Sequence, residues 1–171
     1  SESANASVCS DCDAGQSSDT KGSAKCTACG AGRFSNVQGE ACKNCAAGQY
    51  RVQNPEDGAN DPTTCVDCPK GYYQDSTSQA SCLPCLPGQF GNDTGLHACF
   101  ECAAGKVSES ANASVCSDCD AGQSSYTKGS AKCTACGAGQ FSDIKGEDCK
   151  DCPAGWRRGA DESPKKCLLC A

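Results

Sequence analysis

Residues 26–35 read Cys-Thr-Ala-Cys-Gly-Ala-Gly-Arg-Phe-Ser, and residues 133–142 read Cys-Thr-Ala-Cys-Gly-Ala-Gly-Gln-Phe-Ser. Two cysteines separated by two residues, a glycine three residues after the second and an aromatic two residues later form the unit from which the chain is built. All 20 cysteines fall into ten such pairs: Cys9/Cys12, Cys26/Cys29, Cys42/Cys45, Cys65/Cys68, Cys82/Cys85, Cys99/Cys102, Cys116/Cys119, Cys133/Cys136, Cys149/Cys152 and Cys167/Cys170. Between successive pairs lie 12 to 14 residues, except for 19 between Cys45 and Cys65. A repeat of about 17 residues follows, and residues 1–171 read as a tandem array of about ten cysteine-rich modules.

The glycine is as regular as the cysteines. Gly15, Gly32, Gly48, Gly71, Gly88, Gly105, Gly122, Gly139 and Gly155 each stand three residues after the second cysteine of the first nine pairs. A glycine at a fixed offset from a cross-link marks a turn that needs positive φ. Phe34, Tyr50, Tyr73, Phe90 and Phe141 follow two residues later, placed for a ring to stack on the disulfide. Ser17, Val107, Ser124 and Arg157 occupy that position elsewhere, with Trp156 one place early, and looser packing is expected in those modules.

A longer repeat overlies the short one. Residues 1–45 match residues 108–152 at a constant offset of 107, with 38 identities in 45 positions. Identity that extends over surface stretches such as SESANAS points to a recent duplication of a six-module block.

Composition excludes a conventional core. Leu, Ile, Val and Phe together supply only 16 of 171 residues, well under the share that globular folds need. The cysteines make up for it: in the chain-entropy account a disulfide closing a loop of about 15 residues removes roughly 3 kcal/mol of denatured-state entropy. The inter-cysteine segments are rich in Gly, Ser, Asp and Asn and lack helical periodicity, so strands of two to four residues, hairpin loops and almost no helix are expected.

Fifteen Lys and Arg against 21 Asp and Glu give a net charge of −6 with no basic run, which argues against nucleic acid and against an anionic membrane surface as partners. No apolar stretch approaches the length of a membrane span, and no segment has the build of a signal peptide. The lack of methionine marks the chain, on this reading, as a segment of a longer product whose export signal lies elsewhere.

The unit C-x-x-C-x-[AP]-G-x-[FY]-S, seen as CTACGAGRFS, CTACGAGQFS and CLPCLPGQF, resembles the ephrin-receptor-like cysteine-rich repeat and the one-disulfide modules of tumour-necrosis-factor-receptor-type domains. Such repeats occur in receptors, adhesion proteins and protist cysteine-rich surface antigens. The resemblance implies an elongated rod of stacked, disulfide-rich hairpin modules in an extracellular setting, secreted or at the cell surface.

Two connectivities are open. Cysteines two residues apart seldom form a relaxed bond with each other, so one of each pair closes the preceding loop and the other opens the next. That reading, which the resemblance supports, gives Cys12–Cys26, Cys29–Cys42, Cys45–Cys65, Cys68–Cys82, Cys85–Cys99, Cys102–Cys116, Cys119–Cys133, Cys136–Cys149 and Cys152–Cys167, with Cys9 and Cys170 left for external or inter-unit bonds. The rival is a crossed pattern, Cys9–Cys26 with Cys12–Cys29 and so on, which uses all 20.

Paired C-x-x-C motifs also have the spacing of four-thiolate zinc ribbons, but the chain is acidic and carries glycosylation sequons. Redox catalysis would need a single such motif before a helix in a βαβ unit. Three sequons, at Asn5, Asn92 and Asn112, fall in inter-cysteine loops, where a glycan can be accommodated. Glu56, Asp57, Asn60 and Asp61 in the one long loop offer oxygens to calcium but lack the order of a calcium loop. His97 is the only histidine, which disfavours Ser/His and Cys/His catalysis. Arg157, Arg158, Gly159, Ala160 and Asp161 do not form an Arg-Gly-Asp, and with Trp156 the two arginines are the only anchor-like cluster.

No enzyme activity, metal or cofactor is expected. The reading favoured is an extracellular structural segment, a disulfide-laddered stalk or filament that self-associates or continues into a longer array; the alternative is a receptor or adhesion ectodomain with a protein ligand.

Overall fold

The four residues after each opening cysteine reverse the chain. In Leu86-Pro87-Gly88-Gln89, proline presets φ at the second position, Gly88 takes φ +86°, and the Gln89 amide donates to the Leu86 carbonyl at 2.9 Å, the pattern of a type II turn. The same bond closes Pro69–Tyr72 at 3.0 Å and Pro153–Trp156 at 2.9 Å. The two residues leaving the turn pair with the two residues that precede the next opening cysteine. That cysteine's amide then donates to the turn glycine's carbonyl, as Cys102 does to Gly88 at 2.9 Å, and the hairpin is complete.

The computed structural model describes residues 11–18, 25–53, 61–160 and 162–170. Among them are nine antiparallel two-stranded hairpins and no helix. They fall into two compact units, one holding the residues up to Cys68 with Gln74–Cys82, the other Pro69–Tyr73 and the residues from Leu83 onward. The first unit contains the hairpins β1/β2 (Gln16–Ser17, Thr27–Ala28), β3/β4 (Arg33–Phe34, Lys43–Asn44) and β5/β6 (Gln49–Tyr50, Val66–Asp67). The second contains β7/β8 (Tyr72–Tyr73, Leu83–Pro84), β9/β10 (Gln89–Phe90, Phe100–Glu101), β11/β12 (Lys106–Val107, Ser117–Asp118), β13/β14 (Gln123–Ser124, Thr134–Ala135), β15/β16 (Gln140–Phe141, Lys150–Asp151) and β17/β18 (Trp156–Arg157, Leu168–Leu169). The modules are numbered one to nine by their hairpins.

Each hairpin frames one disulfide between neighbouring pairs: Cys12–Cys26, Cys29–Cys42, Cys45–Cys65, Cys68–Cys82, Cys85–Cys99, Cys102–Cys116, Cys119–Cys133, Cys136–Cys149 and Cys152–Cys167. The crossed pairing is therefore not adopted: Cys12 bonds Cys26 and Cys29 bonds Cys42.

The disulfides are the core. Apart from Val107, every buried hydrophobic residue among those described is a cysteine, and Cys45, Cys68, Cys85, Cys102 and Cys119 have no exposed surface. A chain with so little aliphatic side chain to bury places sulfur where a larger domain places leucine. The expectation of looser packing fails at two of its four positions, the other two being Arg157, which is exposed, and Ser17, which is half-buried. Val107 and Ser124, at the position held elsewhere by an aromatic, are more deeply buried than Phe34, Tyr50, Tyr73, Phe90 and Phe141, which are only half-buried, so their modules are not loosely packed. A small side chain lets neighbouring backbone close over it, and at Ser124 the hydroxyl is also used, donating to Asp148 at 2.6 Å.

Candidate functional site

The feature that recurs from module to module is the seam between one hairpin and the next. Three residues after each turn glycine stands a residue that is buried in every module from the second to the ninth: Ser35, Arg51, Gln74, Gly91, Ser108, Ser125, Ser142 and Arg158. Its carbonyl accepts the turn-glycine amide of the preceding module. In the first unit Gly15 donates to Ser35 at 2.7 Å, Gly32 to Arg51 at 2.8 Å and Gly48 to Gln74 at 2.6 Å. In the second, Gly71 donates to Gly91 at 2.9 Å, Gly88 to Ser108 at 2.8 Å, Gly105 to Ser125 at 3.1 Å, Gly122 to Ser142 at 2.7 Å and Gly139 to Arg158 at 2.9 Å. The turn glycine thus reverses its own hairpin and docks the next one.

A second bond runs the other way at five seams, from a loop amide of the following module to the carbonyl of the opening cysteine before it. Gly39 donates to Cys12 at 2.8 Å, Ser78 to Cys45 at 3.0 Å, Asn112 to Cys85 at 2.9 Å, Gly129 to Cys102 at 2.9 Å and Gly146 to Cys119 at 2.8 Å. These five donors stand ten residues after the opening cysteine of their own module, and all have positive φ, from +62° at Ser78 to +79° at Gly146. The loop residue also reaches past its neighbour: a Cβ at Gly32 would overlap the Ser78 carbonyl, and one at Gly71 the Asn112 carbonyl. Each of those carbonyls belongs to the module after next, so the close packing is not confined to nearest neighbours, as a simple repeat array would have it.

Five of the eight seams carry this bond, and at two of the others an arginine reaches the carbonyl of the same opening cysteine. Ten residues after Cys45 the sequence has Pro55, which carries no amide hydrogen and lies outside the described residues. Ten residues after Cys152 stands Glu162, whose amide turns instead to Gly159 at 3.3 Å. In these two modules the buried seam residue is Arg51 or Arg158. The Arg51 guanidinium donates to the carbonyls of Cys29, Gly30 (2.6 Å) and Arg33. The Arg158 guanidinium does the same at Cys136 (2.5 Å), Gly137 and Gln140, and adds Gly159 and Glu162, both at 3.2 Å. Ser108 and Ser125 make the shorter version of the contact, their hydroxyls donating to the Gln89 and Lys106 carbonyls at 2.9 and 3.0 Å. Burial holds the Arg51 pKa below its ordinary value, and the nearby Asp61 carboxylate partly offsets this. A buried guanidinium is tolerated because its donors are taken up by fixed carbonyl dipoles.

The anchor-like cluster of Trp156, Arg157 and Arg158 is split by this arrangement. Arg158 is buried in the seam, Arg157 is exposed and paired with Glu162 at 3.2 Å, and Trp156 is exposed across the hairpin from Leu169. Nothing in the residue pattern alone marks either buried arginine as structural. The one available signal is that positions 51 and 158 keep the 107-residue offset beyond the end of the near-identical block.

The turn glycines Gly15, Gly32, Gly48, Gly71, Gly88, Gly105, Gly122, Gly139 and Gly155 all have positive φ, from +70° to +90°. Asn92 and Asn112 are exposed in their loops; Asn5 and Cys9 lie outside the described residues, as do Glu56, Asp57 and Asn60. His97 is exposed, and Cys170 is an exposed free thiol. Asp61 is held below the usual carboxylate range by the hydroxyl and amide of Thr63, at 2.6 and 2.8 Å, so its oxygens cap a turn. Among the described residues no group of His, Cys, Asp or Glu is arranged to hold a metal ion. An open groove of about 650 Å³ in the second unit, running from Val107 to Cys133, mixes small polar groups with charges of both signs.

This geometry is one disulfide, one type II turn and one short hairpin, repeated. Residues 58–95 match the family model described as tyrosine-protein kinase ephrin type A/B receptor-like. The matched span includes the Cys68–Cys82 disulfide and the β7/β8 hairpin, and the same hairpin recurs throughout the described residues. Residues 58–95 are thus similar to an ephrin-receptor-like module, and the described array is a tandem run of disulfide-bonded cysteine-rich hairpin modules. No curated protein matches the chain.

Proposed function

We propose that the chain is a segment of an extracellular structural protein, a disulfide-laddered stalk or filament built by repetition of one docking contact. The observation that carries this reading is the eight-fold recurrence of the bond from turn glycine to seam carbonyl, made by modules whose seam residues differ widely. A polymer of this kind needs only that each unit hold the next, and among the described residues no module departs from the pattern to build a distinct site. Nine disulfides with so little other core require an oxidising compartment, and ephrin-receptor-like modules are ectodomain-type, non-catalytic folds. No catalytic role is assigned. Self-association or continuation of the array through Cys9 and Cys170 belongs to the same proposal.

Electron microscopy of negatively stained native material tests it: extended rods or filaments are expected, and uniformly compact particles overturn it. The second reading, a receptor or adhesion ectodomain, draws on exposed apolar side chains at Leu83, Leu86 and Phe100 in the fourth and fifth modules and at Trp156, Leu168 and Leu169 in the ninth. Saturable binding to a cell-surface protein that is lost in a Leu83→Ser, Leu86→Ser, Phe100→Ser variant would favour it over the stalk.

A further inference from the structure

The loop apex of the sixth module uses the backbone of Asn112 and leaves its side chain idle. Asn112 has φ +65°, its amide donates to Cys85 at 2.9 Å, and its carbonyl lies where a Cβ on Gly71 would be. Asparagine tolerates this conformation better than most residues, which is one reason to find it here. That reason is incomplete. Glycine serves the same position at Gly95, Gly129 and Gly146, and conformation does not explain Ser114, two residues on. The Asn112 carboxamide is exposed, and neither it nor the Ser114 hydroxyl makes a hydrogen bond among the described residues. The fold leaves unused the two groups that an N-x-Ser sequon needs.

We propose that Asn112 carries an N-linked glycan at the apex of the sixth-module loop. The donor is an oligosaccharide carried on a lipid diphosphate. The Asn112 Nδ2 forms a bond to the anomeric carbon as the bond from that carbon to the diphosphate oxygen breaks; the lipid diphosphate leaves with the electron pair, and the amide gives up one proton. Asn92 is the poorer acceptor. In its sequon the middle residue, Asp93, places a carboxylate beside the site and ties it to the Thr94 amide at 2.9 Å, fixing negative charge there. The inference rests on the extracellular part of the functional reading.

Peptide mapping of the protein from its natural source tests it. After reduction, trypsin releases residues 107–128, cut after Lys106 and Lys128, with Asn112 as their only asparagine. The expected result is a glycan on that peptide, converted by peptide-N-glycosidase in heavy-oxygen water to a labelled aspartate at 112. A bare 107–128 peptide overturns the assignment, whatever Asn92 carries. Mapping before reduction keeps the two readings apart: a bare peptide with the nine disulfides in place rejects the glycan alone, whereas free thiols throughout reject the extracellular reading itself. Expressed in a secreting eukaryotic host, Ser114→Ala loses all of the glycosylated peptide while retaining Asn112 in the loop, and Asn112→Gly does the same while preserving the left-handed backbone. A glycan that persists on this peptide in Ser114→Ala overturns the sequon assignment.

Discussion

Replacing Arg51 by methionine tests the seam directly, because it keeps a long apolar stem and removes only the guanidinium. In the native chain that group reaches the carbonyls of Cys29, Gly30 and Arg33. The Gly30 carbonyl retains a partner, the Arg33 amide at 3.1 Å, so two acceptors are left bare. Arg51 and Cys29 are each 1% exposed, which keeps water from reaching the Cys29 carbonyl without local opening. Two stranded acceptors at about 1 to 2 kcal/mol each give a loss of about 2 to 4 kcal/mol, less whatever relief comes from no longer burying a charge. The readout is hydrogen exchange of the Gly32 amide, whose acceptor is the Arg51 carbonyl across the same seam. Protection should fall by about 30- to 700-fold, at tenfold per 1.4 kcal/mol. Arg51→Ser is the companion variant. Its hydroxyl regains the Arg33 carbonyl, as Ser108 holds that of Gln89, but cannot reach Cys29, so its loss should be about half that of the methionine variant. Arg157→Ala, at an exposed ion pair, is the control and should stay within about 0.5 kcal/mol of wild type. Gly32 protection unchanged in Arg51→Met would refute the claim that the guanidinium replaces the missing loop amide.

Gly32→Val places a branched side chain at φ +70° and against the Ser78 carbonyl; exchange should quicken in module two and also in the loop of module four, and an effect confined to module two would contradict the reach seen in the structure. Full reduction should abolish dispersed amide shifts and protease resistance together, since almost the entire buried apolar set is cystine; a reduced chain that resists proteolysis would sink the disulfide-core argument. Asp118 bonds Lys106 at 2.5 Å, and its pKa is lowered by that hydrogen bond first and by the lysine charge second. Its contribution to stability is therefore present above the ordinary carboxylate value of about 4 and is lost as pH falls through the depressed folded value. A carboxyl-carbon NMR titration should show its midpoint below the ordinary value, and a midpoint at or above it would remove the ion pair from the account.

The cysteine pairs and the turn glycines were legible without coordinates because both are local requirements. A positive φ three residues after a cysteine admits little but glycine, and a cysteine two residues from another bonds elsewhere. These signals set the module and its short hairpin, and they narrowed the pairing to two patterns. The seam was not legible in the same way, because it is defined by burial and not by residue type: Ser35, Arg51, Gln74 and Gly91 occupy one structural position with no chemistry in common beyond a backbone carbonyl. Glycine at 39, 129 and 146 did carry a second local signal, ten residues after the opening cysteine of its module, which reports the loop apex that donates to the preceding module. Arg51 and Arg158 show what only the tertiary structure decides. Along the chain each is a cation in a polar loop; in the fold each stands where a neighbouring carbonyl has lost its usual amide donor, and a long side chain ending in several donors makes the bond that the backbone of that loop does not.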